Sequence, residues 1–159
     1  MILVLLGTQN NSFHRLLEEI QKNIDNGNIK EEVIVQKGYT KFESNDMVLY
    51  NQLPLEEFGK MIDKARLVIT HGGAGSIINS IEKDKKVIAV PRLKKYKEHV
   101  NDHQLDIIKS FNDLGYIIGI NSVEELEDAL KKVKDFEPKK YIKNTGNILG
   151  IIENFIDNN

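Results

Sequence analysis

No cysteine occurs among the 159 residues, which excludes disulfides, thiolate metal sites and a cysteine nucleophile, and fits a reducing cytoplasm. Neither charge sign dominates. The 22 basic and 24 acidic residues leave a formal net charge of −2, so nothing global favours nucleic acid as a partner. No apolar run approaches the roughly 20 residues that a membrane helix requires. The opening Met1-Ile2-Leu3-Val4-Leu5-Leu6 is apolar, but it has no basic segment and breaks at Gly7. It reads as a strand, not a signal peptide. Internal repeats, low-complexity tracts and linkers are absent as well, and the length suits one domain with one substantial core.

What is present is alternation. Short apolar runs near 2–6, 32–36, 47–50, 67–70, 87–90 and 116–119 predict strands, bounded by Gly, Asn, Asp or Pro. Between them Phe13, Leu16, Leu17 and Ile20 recur at helical spacing, as do Leu55, Phe58 and Ile62, then Ile77, Ile78 and Ile81. Leu105, Ile108 and Phe111 mark a fourth helix, and Val123, Leu126, Leu130 and Val133 a fifth, with Ser122 as its expected N-cap. This pattern predicts an α/β fold: a Rossmann-like parallel sheet with helices on both faces. The continuous apolar strands at 67–70 and 87–90 are expected at its centre. Residues 139–159 carry a wide apolar stripe and are expected to form a C-terminal helix that docks on this sheet or on a partner.

Two stretches carry chemistry. "THGGAGSIINS", residues 70–80, sits where a central strand turns into a helix. Ligands of open α/β sheets bind outside the carboxyl ends of the strands. Gly72, Gly73 and Gly75 let the backbone approach a ligand, and a helix opening near Ser76 offers free N–H groups to a phosphate, joined by His71 and the Ser76 hydroxyl. The competing reading is a structural glycine turn beside a buried, satisfied histidine. The spacing is neither that of a P-loop nor G-x-G-x-x-G, and Gly7-Thr8-Gln9-Asn10-Asn11 lacks the glycines of a dinucleotide fingerprint, which disfavours an epimerase-like enzyme.

The second stretch, "VPRLKKYKEHVNDHQLDI" at 90–107, runs from a strand ended by Pro91 through Arg92, Lys94, Lys95 and Lys97 into an expected helix holding Glu98, His99, Asp102, His103 and Gln104. Asp102 and Gln104 can bond sugar hydroxyls, and the basic cluster can neutralise a diphosphate or simply form a solvated face. His99 and His103, at i and i+4 with Asp102 between, lack a third strong ligand, so no metal is expected.

Together these stretches resemble the bacterial exopolysaccharide and capsule glycosyltransferase subunits of the PssE and EpsF type, in glycosyltransferase family 28. These are similar to the C-terminal, donor-binding half of GT-B glycosyltransferases and to the soluble catalytic subunit of the eukaryotic two-chain GlcNAc transferase acting on dolichol-linked sugar. The resemblance implies that His71, Gly72, Gly73, Gly75 and Ser76 contact the diphosphate of a UDP-sugar. It further implies that Asp102, His103 and Gln104 meet the sugar or ribose, that Gly7, Thr8 and Gln9 face the cleft, and that uracil docks near Leu53. Asn79 stands where many relatives carry a ribose-binding glutamate, so that contact is expected to loosen or to move to Glu82. Arg92 and its lysines become candidates for phosphates.

The resemblance also implies a partner, because a GT-B enzyme needs two such domains. A membrane-associated subunit of the PssD or EpsE type would bring a polyprenyl-diphosphate-linked sugar, drawing this cytoplasmic chain to the inner membrane face, with membrane contact only through that partner. The implied reaction is an inverting hexose transfer with no cofactor. The alternative is a non-catalytic nucleotide-sugar-binding or enhancer subunit. His14 is expected to be structural, which leaves the general base unassigned.

Overall fold

The computed structural model describes residues 1–142. Six parallel strands form one sheet: β1 (Ile2–Leu5), β2 (Val33–Gln36), β3 (Val48–Tyr50), β4 (Leu67–His71), β5 (Lys86–Val90) and β6 (Ile118–Gly119), in the order β3-β2-β1-β4-β5-β6. Every strand lies where hydropathy places it. The centre is shared by β1 and β4, while β5 lies one position further out behind the two-residue β6. A strand covered by helices on both faces is apolar throughout wherever it stands in the sheet, so continuity marks burial and not centrality.

Among the described residues five helices cover the sheet: α1 (His14–Asp25), α2 (Leu55–Lys64), α3 (Ala74–Ile81), α4 (His103–Asp113) and α5 (Leu126–Lys132). Alternate residues of β1 divide the core. Ile2 and Val4 pack with Phe13, Leu16, Leu17 and Ile20 around α1, and with Leu126 and Leu130 of α5. Leu3 and Leu5 face Ile62 of α2, Ile77 and Ile81 of α3, and Ile107, Ile108 and Phe111 of α4. Ser122 opens the helical segment leading into α5 as expected, with Glu125 Oε2 accepting from the Ser122 N–H at 2.8 Å in a capping box.

Two helix starts differ from expectation. α3 begins at Ala74, two residues before Ser76, with Gly73 as its N-cap. α4 begins only at His103. Residues 94–102 form a 3-10 turn (Lys94–Tyr96) and bends, because Glu98 turns back to accept from the Leu93 N–H at 3.0 Å and to pair with Arg15. His99 and His103 therefore do not share one helical face. Lys139–Ile142 are not helical; Lys139 N–H donates to Gly115 O at 2.9 Å. The rest of the expected terminal helix lies outside the described residues.

One polar contact fixes the entry of α1. Phe13 N–H donates to the Oγ1 of fully buried Thr40 at 2.9 Å, tying the start of α1 to the chain leaving β2. Thr40→Val keeps the shape but strands that N–H, and is expected to lower unfolding stability by about 1–3 kcal/mol in urea titrations. An unchanged midpoint would show that this bond does not hold the helix entry.

Candidate functional site

The strand order reverses direction between β1 and β4, so the chain leaves these neighbours toward opposite sides and opens a crevice at their carboxyl ends. Gly7-Thr8-Gln9 forms one wall and His71-Gly72-Gly73 the other. Both stretches singled out in the sequence reach this rim, since β5 delivers residues 91–104 beside β4.

The imidazole of His71 occupies the gap between two glycines. A Cβ on Gly7 would lie 2.6 Å from His71 Nε2, and one on Gly73 would lie 2.4 Å from its Cε1. Gly7 also has φ +78°, in the left-handed region. Gly75 differs: nothing lies within 4 Å of a Cβ there, so space opens above the first turn of α3.

α3 has no side-chain cap, and Ile77 provides its first N–H with a helical acceptor, at 3.2 Å from Gly73 O. The N–H groups of Ala74, Gly75 and Ser76 thus form the open end of the helix, where the backbone dipoles favour an anion. Ser76 is half-buried and Asn79 exposed, three residues apart and therefore on the same helical face.

Behind this edge the side chains are committed to one another. Gln104 Oε1 accepts from Gly72 N–H at 3.0 Å and from Arg92 N–H at 2.9 Å, and its Nε2 lies 3.2 Å from His71 Nδ1. Arg92 is buried, donating from Nη1 to Asn11 O at 2.8 Å and Glu98 O at 3.1 Å, and from Nη2 to Leu6 O. Its guanidinium stacks 5.2 Å from the Phe13 ring, and burial pushes it down to about 10. Glu98 binds Arg15 through two hydrogen bonds, at 2.8 and 2.9 Å. The Gln9 amide meets Nε2 of buried His99 at 3.1 Å.

This geometry changes two expectations. Arg92 and Gln104, expected at substrate, are both buried and hold backbone groups of the surrounding loops, so they build the site from behind. Sequence could not show this, because Arg92 and its acceptors Leu6 and Asn11 stand 86 and 81 positions apart. Arg15 and Glu98 carry no sequence signal for the same reason. Asp102 is exposed, with one oxygen accepting from Lys94 N–H at 2.8 Å; His103 is half-buried at the start of α4. Thr8 is exposed on the first loop. His14 is exposed at the start of α1, where its Nδ1 lies 3.0 Å from Lys41 O and its Nε2 2.7 Å from Glu18. Along the same rim, a hollow of about 560 Å³ opens beside Gly38, Tyr39, Asn51 and Gln52, next to Leu53.

A parallel sheet in this order, flanked by helices, forms a Rossmann-like domain equivalent in fold to the C-terminal half of a GT-B glycosyltransferase. The chain belongs to glycosyltransferase family 28, whose C-terminal domain matches residues 1–157. It is 31% identical over 108 residues to the UDP-N-acetylglucosamine transferase subunit ALG13 of Candida glabrata, covering 67% of this chain and 51% of that protein. The Candida albicans subunit of the same name is 31% identical over 91 residues, 57% of this chain and 29% of that protein. The chain thus spans about half or less of these relatives' length. Among solved structures, that of ALG13 superposes with a TM-score of 0.63 at 17% identity, covering 95% of this chain and 93% of the other. Acinetobacter baumannii MurG gives 0.57 at 17%, covering 82% of this chain and 40% of that enzyme.

Burial, with Arg92 and His99 adding, pushes the His71 imidazole from 6.5 down to about 3. Below pH 6.5 the unfolded chain therefore holds a proton that the folded chain lacks. Stability is full above that pH and falls by up to about 1.4 kcal/mol per unit on acidification toward 3. Urea midpoints at pH 7.5 and 5 should show the drop, with a shallower slope in His71→Asn; equal slopes would contradict it. The glycines supply a second test. Gly73→Ala is expected to destabilise by about 1–3 kcal/mol through overpacking, whereas Gly75→Ala should leave stability unchanged or raise it by up to about 1 kcal/mol. Equal effects in thermal melts would refute the packing described.

Proposed function

We propose that this chain is the donor-binding subunit of a two-chain glycosyltransferase that moves a hexose from a UDP-sugar to a polyprenyl-diphosphate-linked sugar in bacterial exopolysaccharide or capsule synthesis. The carrying observation is the open N-terminus of α3 beside the uncommitted Nε2 edge of neutral His71, at the sheet's switch point. A diphosphate fits this arrangement of donors. Its nucleoside would extend toward the hollow near Leu53, and the sugar toward Asp102 and His103.

In the reaction the acceptor hydroxyl oxygen bonds to the anomeric carbon as the bond to the UDP oxygen breaks, and the hydroxyl proton passes to a base. The departing diphosphate gains charge, which the N–H groups of Ala74, Gly75 and Ser76 and the His71 donor offset without rearranging. His71 itself cannot take the proton at neutral pH, since burial disfavours its imidazolium. The base is assigned in this proposal to the acceptor-binding subunit, a membrane-associated protein of the PssD or EpsE type. The names of the Candida relatives, each a subunit of a UDP-N-acetylglucosamine transferase, support the two-chain reading.

The test is calorimetric titration with UDP, then transfer of label from UDP-sugars to the membrane lipid fraction with the candidate partner co-expressed. UDP should bind, and His71→Ala should weaken binding at least tenfold, as expected for a lost hydrogen bond to a charged group, and abolish transfer. Transfer unaffected by His71→Ala removes the histidine from the mechanism. UDP binding without transfer beside a functional partner refutes the catalytic role.

A further inference from the structure

Resting on the donor-site reading above, we infer that Gln104 is a positioning residue that fixes the His71 tautomer, keeping the proton on Nε2 for donation to the diphosphate. Two backbone N–H groups, of Gly72 and Arg92, converge on one heteroatom of the Gln104 amide at 3.0 and 2.9 Å. Only the carbonyl oxygen can accept both. The amide nitrogen must then face His71 Nδ1, 3.2 Å away. An amide nitrogen donates and has no lone pair to offer, so Nδ1 is the acceptor. In a neutral imidazole the proton consequently resides on Nε2. That edge lies against Gly7 and Gly73, and no hydrogen bond from the described residues occupies it.

The role assigned to Gln104 thus differs from direct recognition of the sugar. Its side chain is buried, and it joins the loops after β4 and β5 while orienting the ring between them. The charged and titratable groups facing His71 are Arg92 from the loop after β5 and His99 from the turn before α4. Both disfavour a second proton on the ring, so the tautomer alone decides whether a donor or a lone pair meets the phosphate.

A carboxylate in place of the amide would accept from Gly72, Arg92 and Nδ1 at once, so Gln104→Glu should move the proton to Nδ1. Imidazole nitrogen NMR of the ligand-free chain, with the His71 signals assigned through His71→Ala, reads this directly. The wild type should be protonated at Nε2 with Nδ1 bare, and Gln104→Glu at Nδ1. At pH 7.5 the variant should bind UDP-GlcNAc at least tenfold more weakly, recovering as acid restores the second N–H; the wild type should vary little between pH 7.5 and 5.5.

A wild-type ring protonated at Nδ1 overturns the inference even if the variant does not fold. So does a folded Gln104→Glu protein that keeps the proton on Nε2. Wild type protonated at Nε2 that fails to bind UDP-GlcNAc supports the tautomer lock and refutes the donor-site reading instead.

Discussion

The site depends on fitting an aromatic ring into a space only glycine can leave. His71 ends a central strand, and its imidazole fills the gap where Gly7 and Gly73 lack side chains. Because that ring is enclosed, it stays neutral and rigid. Because it is held by Gln104, its outer nitrogen keeps one orientation. The edge proposed to bind a diphosphate adds little flexible charge, and would rely instead on fixed N–H dipoles in a partly desolvated crevice, where they act more strongly than in water.

The fully buried cation nearby belongs to the scaffold. Taking a guanidinium out of water is costly unless it is paired and hydrogen-bonded. Arg92 meets this condition at Nη1 and Nη2, through carbonyls of Leu6, Asn11 and Glu98, with the ring of Phe13 and the Glu98 carboxylate favouring its charged form, while its buried Nε has no partner among the described residues. Arg15 completes the set by pairing with Glu98 and stacking 3.7 Å over Tyr96. The network joins the β1 loop, α1 and the β5 loop, and Gln104, accepting from both the Arg92 and the Gly72 N–H groups, links it to the second wall of the crevice. It also explains why residues 98–102 bend where the sequence pattern suggests a helix.

Much of the fold is legible in the sequence because hydropathy is local. Runs such as Val68-Ile69 and Val87-Ile88, and the spacing of Leu16, Leu17 and Ile20, announce strand and helix without knowledge of distant neighbours. The rim bearing the site follows from alternation alone, and the glycines after β4 mark a close approach. Side-chain direction is harder to read. A buried arginine and a buried glutamine look the same in sequence as surface ones, and their partners lie tens of positions away. The start of α3 is hidden because Ala74 and Gly75 carry no apolar signal, although they occupy its first turn.

Fold and site together place the open N–H groups of α3 and the His71 ring on one rim of the sheet, the rim proposed to receive the donor diphosphate. The most direct measurement of this central claim is amide shift mapping of the isotope-labelled chain on addition of UDP. The account predicts the largest shifts at Gly73, Ala74, Gly75 and Ser76, with smaller ones at Gly7 and Thr8. Shifts confined to the amino-end rim, around Lys30, Arg66 and Lys134 where a hollow of about 460 Å³ opens, would contradict it.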